Sequence, residues 1–148
     1  MSTPSIVHDF YTWLQTVSAV TSLLGTNPLG NPNVCLFGNG SNTFPAVVIT
    51  VGGAYWEEAF GEAATGIRDE DIDCHCMGPD FDIAIQIFEA IVNAIKVFPQ
   101  MSQMPPSTGR MVQTIKLVTA SGQQEETTST NEVIGKRSLQ IRIRYEET

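Results

Sequence analysis

Two rhythms of apolar and polar residues run along this chain, and each predicts a kind of element. From 5 to 24 the apolar side chains Ile6, Phe10, Trp13, Leu14, Val17, Val20 and Leu24 recur at spacings of three and four, the signature of one helix face. Thr3 or Ser5 can cap its start beside Pro4, Asp9 suits the first turns, Ser18 or Thr21 can split it, and Gly25 ends it. A second helix is predicted over 80–98. Pro79 stands at its first position, Phe81, Ala84, Ile85, Phe88, Ile91, Val92 and Ile95 form its stripe, and Ile83, Ile87, Ala94 and Phe98 widen that stripe. Such width calls for a second covering partner, either a loop or a neighbouring subunit.

The other rhythm has a period of two. In DIDCHCMG (71–78), Ile72, Cys74 and Cys76 fall on one face, and Asp69, Asp71, Asp73 and His75 on the other. At the chain's end Leu139, Ile141, Ile143 and Tyr145 alternate with Gln140, Arg142 and Arg144. Strands are also predicted at 34–37, at 46–51, where Val47, Val48 and Ile49 read as buried on both faces, and at 111–120. The acidic aromatic segment 54–66 reads as a loop or a frayed helical turn, and 122–131 as a long polar hairpin connection. The resulting order, α-β-β-β-α-β-β, predicts an α+β fold: a mostly antiparallel β-sheet with two main helices packed on one face. The Arg142/Arg144 stripe is then expected to lie across from Asp71/Asp73 on the solvent side, where each exposed pair contributes about 0.2–1 kcal/mol and helps set register.

With 148 residues the chain reads as a single domain, 1–148. Only 16% of its residues are charged, against roughly 25% in an average domain, so an oligomer that covers part of the surface is expected. Net charge is −8. Acids crowd between 57 and 82 (Glu57, Glu58, Glu62, Asp69, Glu70, Asp71, Asp73, Asp80, Asp82), whereas no Lys or Arg precedes Arg68. Such a balance disfavours tight nucleic-acid binding, which depends on basic groups displacing counterions from phosphate. No apolar run approaches the length of a membrane span, and the N-terminal stretch lacks the basic and apolar regions of a secretory signal. A reducing place of synthesis is therefore expected.

Cys74, His75 and Cys76 invite a metal or redox reading, but the cysteines share the apolar face and His75 points away. Only Cys35 and His8 could complete a tetrahedral zinc set, and C-x-C is not the redox spacing C-x-x-C. His8-Asp9 lacks the further ligands that a metal phosphohydrolase site requires. The carboxylates of 57–82 could supply acid and base, yet a row of Asp at alternate strand positions is commonly a solvated face. No GxSxG, P-loop or strand-borne GxGxxG occurs. No catalytic residue, metal or cofactor is assigned, and the chain is not expected to be an enzyme.

The order of segments resembles a known family. A helix runs into VSAVTSLLG, the proline-led strand FPAVVITV follows, DIDCHCMGPDFDIAIQIFEAIVNAI passes from strand through Gly-Pro into a helix, and a two-strand tail closes on SLQIRIRY. This is similar to the tail terminator (tail completion, head-tail joining) proteins of long-tailed bacteriophages. The resemblance implies a homo-hexameric ring on the last ring of tail-tube protein, which stops tube growth and docks to the head-completion or connector protein while DNA passes through. It also implies a place in the virion neck after synthesis in the host bacterial cytoplasm, with no membrane partner. On this reading Asp69, Glu70 and Asp71, or the loop bearing Glu57 and Glu58, are expected to face the lumen. Tyr55, Trp56, Phe60, Ile87 and Phe98 are expected at subunit or tube interfaces. The rival expectations are another neck or tail ring component (a head-closure or tail-tube protein), a small metal or thiol enzyme, and a monomeric ligand-binding domain.

Overall fold

The computed structural model describes residues 5–26, 29–36, 44–58, 64–106, 109–122, 124–127 and 133–146, with the backbone alone at 52–58, 64–66 and 126. Helix α1 spans Ile6–Leu14, and the Ser5 hydroxyl caps it by accepting from the His8 N–H at 3.3 Å. The helix stops ten residues short of Leu24, the last apolar position of the stripe, and the break falls just before Ser18, one of the two positions where a split was expected. Val17 is extended, and the Thr16 hydroxyl donates to the Trp13 carbonyl at 2.7 Å, which competes with helix propagation. A single short turn, α2 (Ser18–Thr21), follows.

Strand β1 (Val34–Leu36) pairs in parallel with β2 (Ala46–Glu58), and β2 runs antiparallel to β3 (Ala64–Gly78). The expected loop at 54–66 is instead largely sheet. Pairing continues from Ala46↔Met77 out to Glu58↔Ala64, with register shifts at Val51/Gly53 and Trp56/Glu58. The paired glycines 52 and 53 sit at the first shift and so mark a bulge where the sequence suggested a strand end. Val47 and Ile49 are buried while Val48 is half-exposed, so β2 is covered on one face and not on both.

Helix α3 (Phe81–Lys96) is capped by Asp80, whose carboxylate accepts from the Ile83 N–H at 3.0 Å. Pro79 therefore lies just outside the helix and not at its first position. Beyond it come β4 (Ser102–Gln103), β5 (Met111–Ala120), β6 (Gln124–Thr127) and β7 (Val133–Glu146). The polar connection expected at 122–131 contributes β6, which pairs with the start of β7 from Gln124↔Lys136 to Thr127↔Val133. The sheet order is β1-β2-β3-β7-β5-β4, with β6 also on β7, and every described pairing except β1–β2 is antiparallel. The α+β architecture is as expected, helices on one face of a mostly antiparallel sheet.

On that face Ile72, Cys74 and Cys76 of β3 and Leu139, Ile141, Ile143 and Tyr145 of β7 join Ala84, Ile87, Phe88, Ile91 and Ile95 of α3 and Ile6, Phe10 and Leu14 of α1 in the core. Two glycines set how closely α3 approaches. Gly78 and Gly135 are direct cross-strand partners, and a Cβ on Gly135 would stand 2.5 Å from Phe81 Cα and 2.7 Å from the Asp80 carbonyl carbon. The first turn of α3 thus lies on bare backbone. A buried ion pair ties α1 to the segment before β5: Arg110 Nη1 donates to Asp9 Oδ2 at 3.2 Å, with both side chains under a tenth exposed.

Candidate functional site

The period-two pattern of β3 sends its chemistry-bearing residues to opposite sides. Cys74 and Cys76 are fully buried under α3. Burial pushes the Cys74 thiol well above its ordinary range, with Cys76 and Asp73 adding to the shift. Burial also raises Cys76, against a smaller lowering by Arg137, whose guanidinium lies 4.0 Å over the Phe88 ring. Desolvation raises Cys35 too. The thiolate is the nucleophile and metal ligand, so these neutral thiols are poorly suited to either role.

His75 lies on the other face, between the Ser138 hydroxyl (2.7 Å from Nδ1) and the Thr50 hydroxyl (3.3 Å from Nε2). It links β2, β3 and β7 across the open side of the sheet. Among the described residues no cluster of His, Cys, Asp or Glu is arranged to hold a metal.

The acids named as candidates to line a lumen are divided by the strands. Asp71 takes a bidentate grip from Arg142, with Nε donating at 2.7 Å and Nη2 at 3.1 Å, and its carboxylate is only 6% exposed. Asp69 lies 4.0 Å from Arg144, with both side chains partly exposed. Glu70 belongs to the helix-covered side, where it accepts the Tyr145 hydroxyl at 3.3 Å. The expected facing of acidic and basic stripes is present but shifted by one pair. Arg142 and Arg144 oppose Asp71 and Asp69, and Asp73 opposes Gln140. The Asp71 pair is also more buried than the solvent-face expectation allowed. This face therefore presents mostly paired charges, with Lys116 of β5 across from Arg142. Glu57 and Glu58 end β2, away from Asp71, with Glu58 paired to Ala64.

The expected interface residues are equally scattered. Tyr55 and Trp56 occupy the outer half of β2 and pair with Asp69 and Arg68, while Phe60 lies outside the described residues. Ile87 is not on any surface: α3 turns it into the protomer's own core, where it is fully buried. Phe98 is half-buried, edge-on to Trp13 at 5.4 Å. It helps line an apolar groove of about 900 Å³ with Trp13, Val17, Ala90, Ala94 and Val97.

The sequence pattern did not reveal a second surface beside this groove. Between the end of α3 and the outer part of β5 lies a cavity of about 280 Å³ walled by Val92, Ile95, Phe98, Ile115 and Leu117, with Lys96 and Lys116 at its margin. Around it Val97 (80%), Met101 (55%), Leu117 (40%) and Val118 (39%) are exposed. Among the described residues β5 is an edge there, since β4 covers only Met111 and Val112. The over-wide α3 stripe was the available signal, whereas the edge position of β5 depends on strand order.

No family model matches the chain, and no curated protein does. Among solved structures the fold is similar to that of a chain in the virion of a native gene transfer agent (GTA) particle. The two are 15% identical, the likeness covers 96% of this chain and 95% of that one, and the TM-score is 0.57. At this identity the likeness establishes a shared fold, one that a virion component also adopts.

Proposed function

We propose that this chain is a phage-type virion structural protein and, within the virion, the tail terminator. In this role a homo-hexameric ring caps the last ring of tail-tube protein, ends tube growth and presents a docking surface to the head-completion or connector protein, with DNA passing through. The observation that carries the reading is the near end-to-end likeness to a GTA virion chain. The segment order supports it. So does the chemistry of the site, whose thiols are buried and neutral and whose strand acids are mostly paired, a surface suited to assembly more than to catalysis.

The test is imaging of a lysate in which this gene has been disabled. Filled heads beside detached tails, many of them overlong, are the expected result. Normal joined virions would overturn the structural reading. Purified protein that stacks into long tubes would instead reassign the chain to the tail tube.

A further inference from the structure

Among the described residues the sheet ends in two stretches with pairing on one side only, at opposite ends of the strand order. On one side, β2 beyond Ile49 has β3 as its partner, and no other described residue pairs along the outer edge of 51–58. On the other side, β5 beyond Val112 pairs only with β7 and leaves 114–120 open. Exposed edges of this length bearing apolar side chains are templates for strand addition. Val51, Leu117 and Val118 are all about 40% exposed, and Lys116 is the one charge on the β5 edge.

We infer that the two edges pair with each other between copies, so that β5 of one protomer takes β2 of the next and the sheet continues from subunit to subunit. The inference rests on the reading of the chain as a ring component and names the contact that would build the ring. Strand direction permits it. β2, β3, β7 and β5 alternate in direction, so the two edge strands run opposite ways. A copy related by simple rotation then presents an antiparallel partner and preserves the alternation. Such a head-to-tail contact is heterologous, and heterologous contacts generate rings when the rotation closes.

Charge and shape point to the same occupant. The β5 edge and its cavity carry Lys96 and Lys116 and no acid, whereas 51–58 carries Glu57 and Glu58 and no base. Val51 opposes Ile72, so position 51 lies on the helix-covered side of the sheet. In a continuous sheet that side of the incoming strand faces the cavity between β5 and the end of α3.

The experiment introduces Leu117→Lys on one edge and Val51→Lys on the other, with assembly followed by sedimentation and folding by circular dichroism. Both positions are partly exposed, so each variant should keep the wild-type spectrum while weakening self-association at least about tenfold. A mixture of the two variants should form a one-to-one dimer, because each retains the edge the other needs. Lys116→Glu should weaken assembly, and adding Glu57→Lys and Glu58→Lys to it should restore it. A Val51→Lys variant that still dimerises would mean β5 pairs with itself and would overturn the head-to-tail contact. Rings that survive both lysine substitutions would overturn the edge contact and leave the terminator reading standing. A wild-type chain that stays monomeric at its solubility limit would also overturn the edge contact. The gene-disabled lysate decides the broader reading separately.

Discussion

Replacing Gly135 with alanine tests how α3 is seated on the sheet. In an ordinary strand this change removes a flexible residue and gains up to about 1 kcal/mol of β-propensity. Here the added methyl carbon would lie 2.5 Å from Phe81 Cα, 2.6 Å from Phe81 N and 2.7 Å from the Asp80 carbonyl carbon. These are backbone atoms of the first turn of α3, so no rotamer change relieves the overlap. Either β7 bends or the helix lifts, and lifting loosens Ala84, Ile87 and Phe88 from the core. Overpacking of this kind costs typically 1–3 kcal/mol, and the rigidity of the contact places Gly135→Ala at or above the top of that range, about 3 kcal/mol. At about 2–4 °C per kcal/mol for a chain of this size, the melting midpoint should fall by roughly 6–12 °C. Gly122→Ala is the control, since nothing lies within 4 Å of its new methyl group, and it should change stability by less than about 1 kcal/mol. Urea unfolding followed by circular dichroism, at a concentration low enough to keep the chain monomeric, gives both values. A Gly135→Ala protein as stable as wild type would refute the close seating of α3 on the glycine pair.

The buried Asp9–Arg110 pair should behave asymmetrically. Arg110→Met alone removes the guanidinium that faces a buried carboxylate and should cost about 3–5 kcal/mol, while the double variant Asp9→Leu/Arg110→Met should recover most of that loss in urea titrations. The buried thiols predict a pH response with a definite sign. Burial holds Cys74 and Cys76 protonated in the folded state at pH values where an exposed thiol ionises, so their contribution is complete below about pH 9 and is lost as pH rises beyond it. The loss can reach about 1.4 kcal/mol per pH unit per thiol, and a Cys74→Ala/Cys76→Ala variant should unfold with a visibly flatter dependence between about pH 8 and pH 10. If the slopes match, the thiols are not buried as described.

The alternation of Ile72, Cys74 and Cys76, the matching run Leu139–Tyr145 and the stripe of α3 were legible in the chain, and with them the α+β class and the placement of the cysteines away from His75. Each is a local record: a residue's neighbours two, three or four positions away determine which face it shares. The outer β2–β3 ladder escaped this reading because Gly52, Gly53 and the acids beyond them have weak strand propensity, and pairing to β3 overrides it. Strand β6 was hidden in the same way by a polar segment that acquires its structure from β7. Ile87 looked like surplus apolar width on α3, yet whether a stripe faces core or solvent depends on what lies across from it. The Asp71–Arg142 grip, the Asp9–Arg110 pair, the Gly78–Gly135 seat and the open edges of β2 and β5 all join residues far apart in sequence or depend on strand order. Local periodicity carries no information about strand order. That order follows from which arrangement buries the apolar faces together, so the tertiary structure alone decides which charges are paired and which described strands lie at an edge.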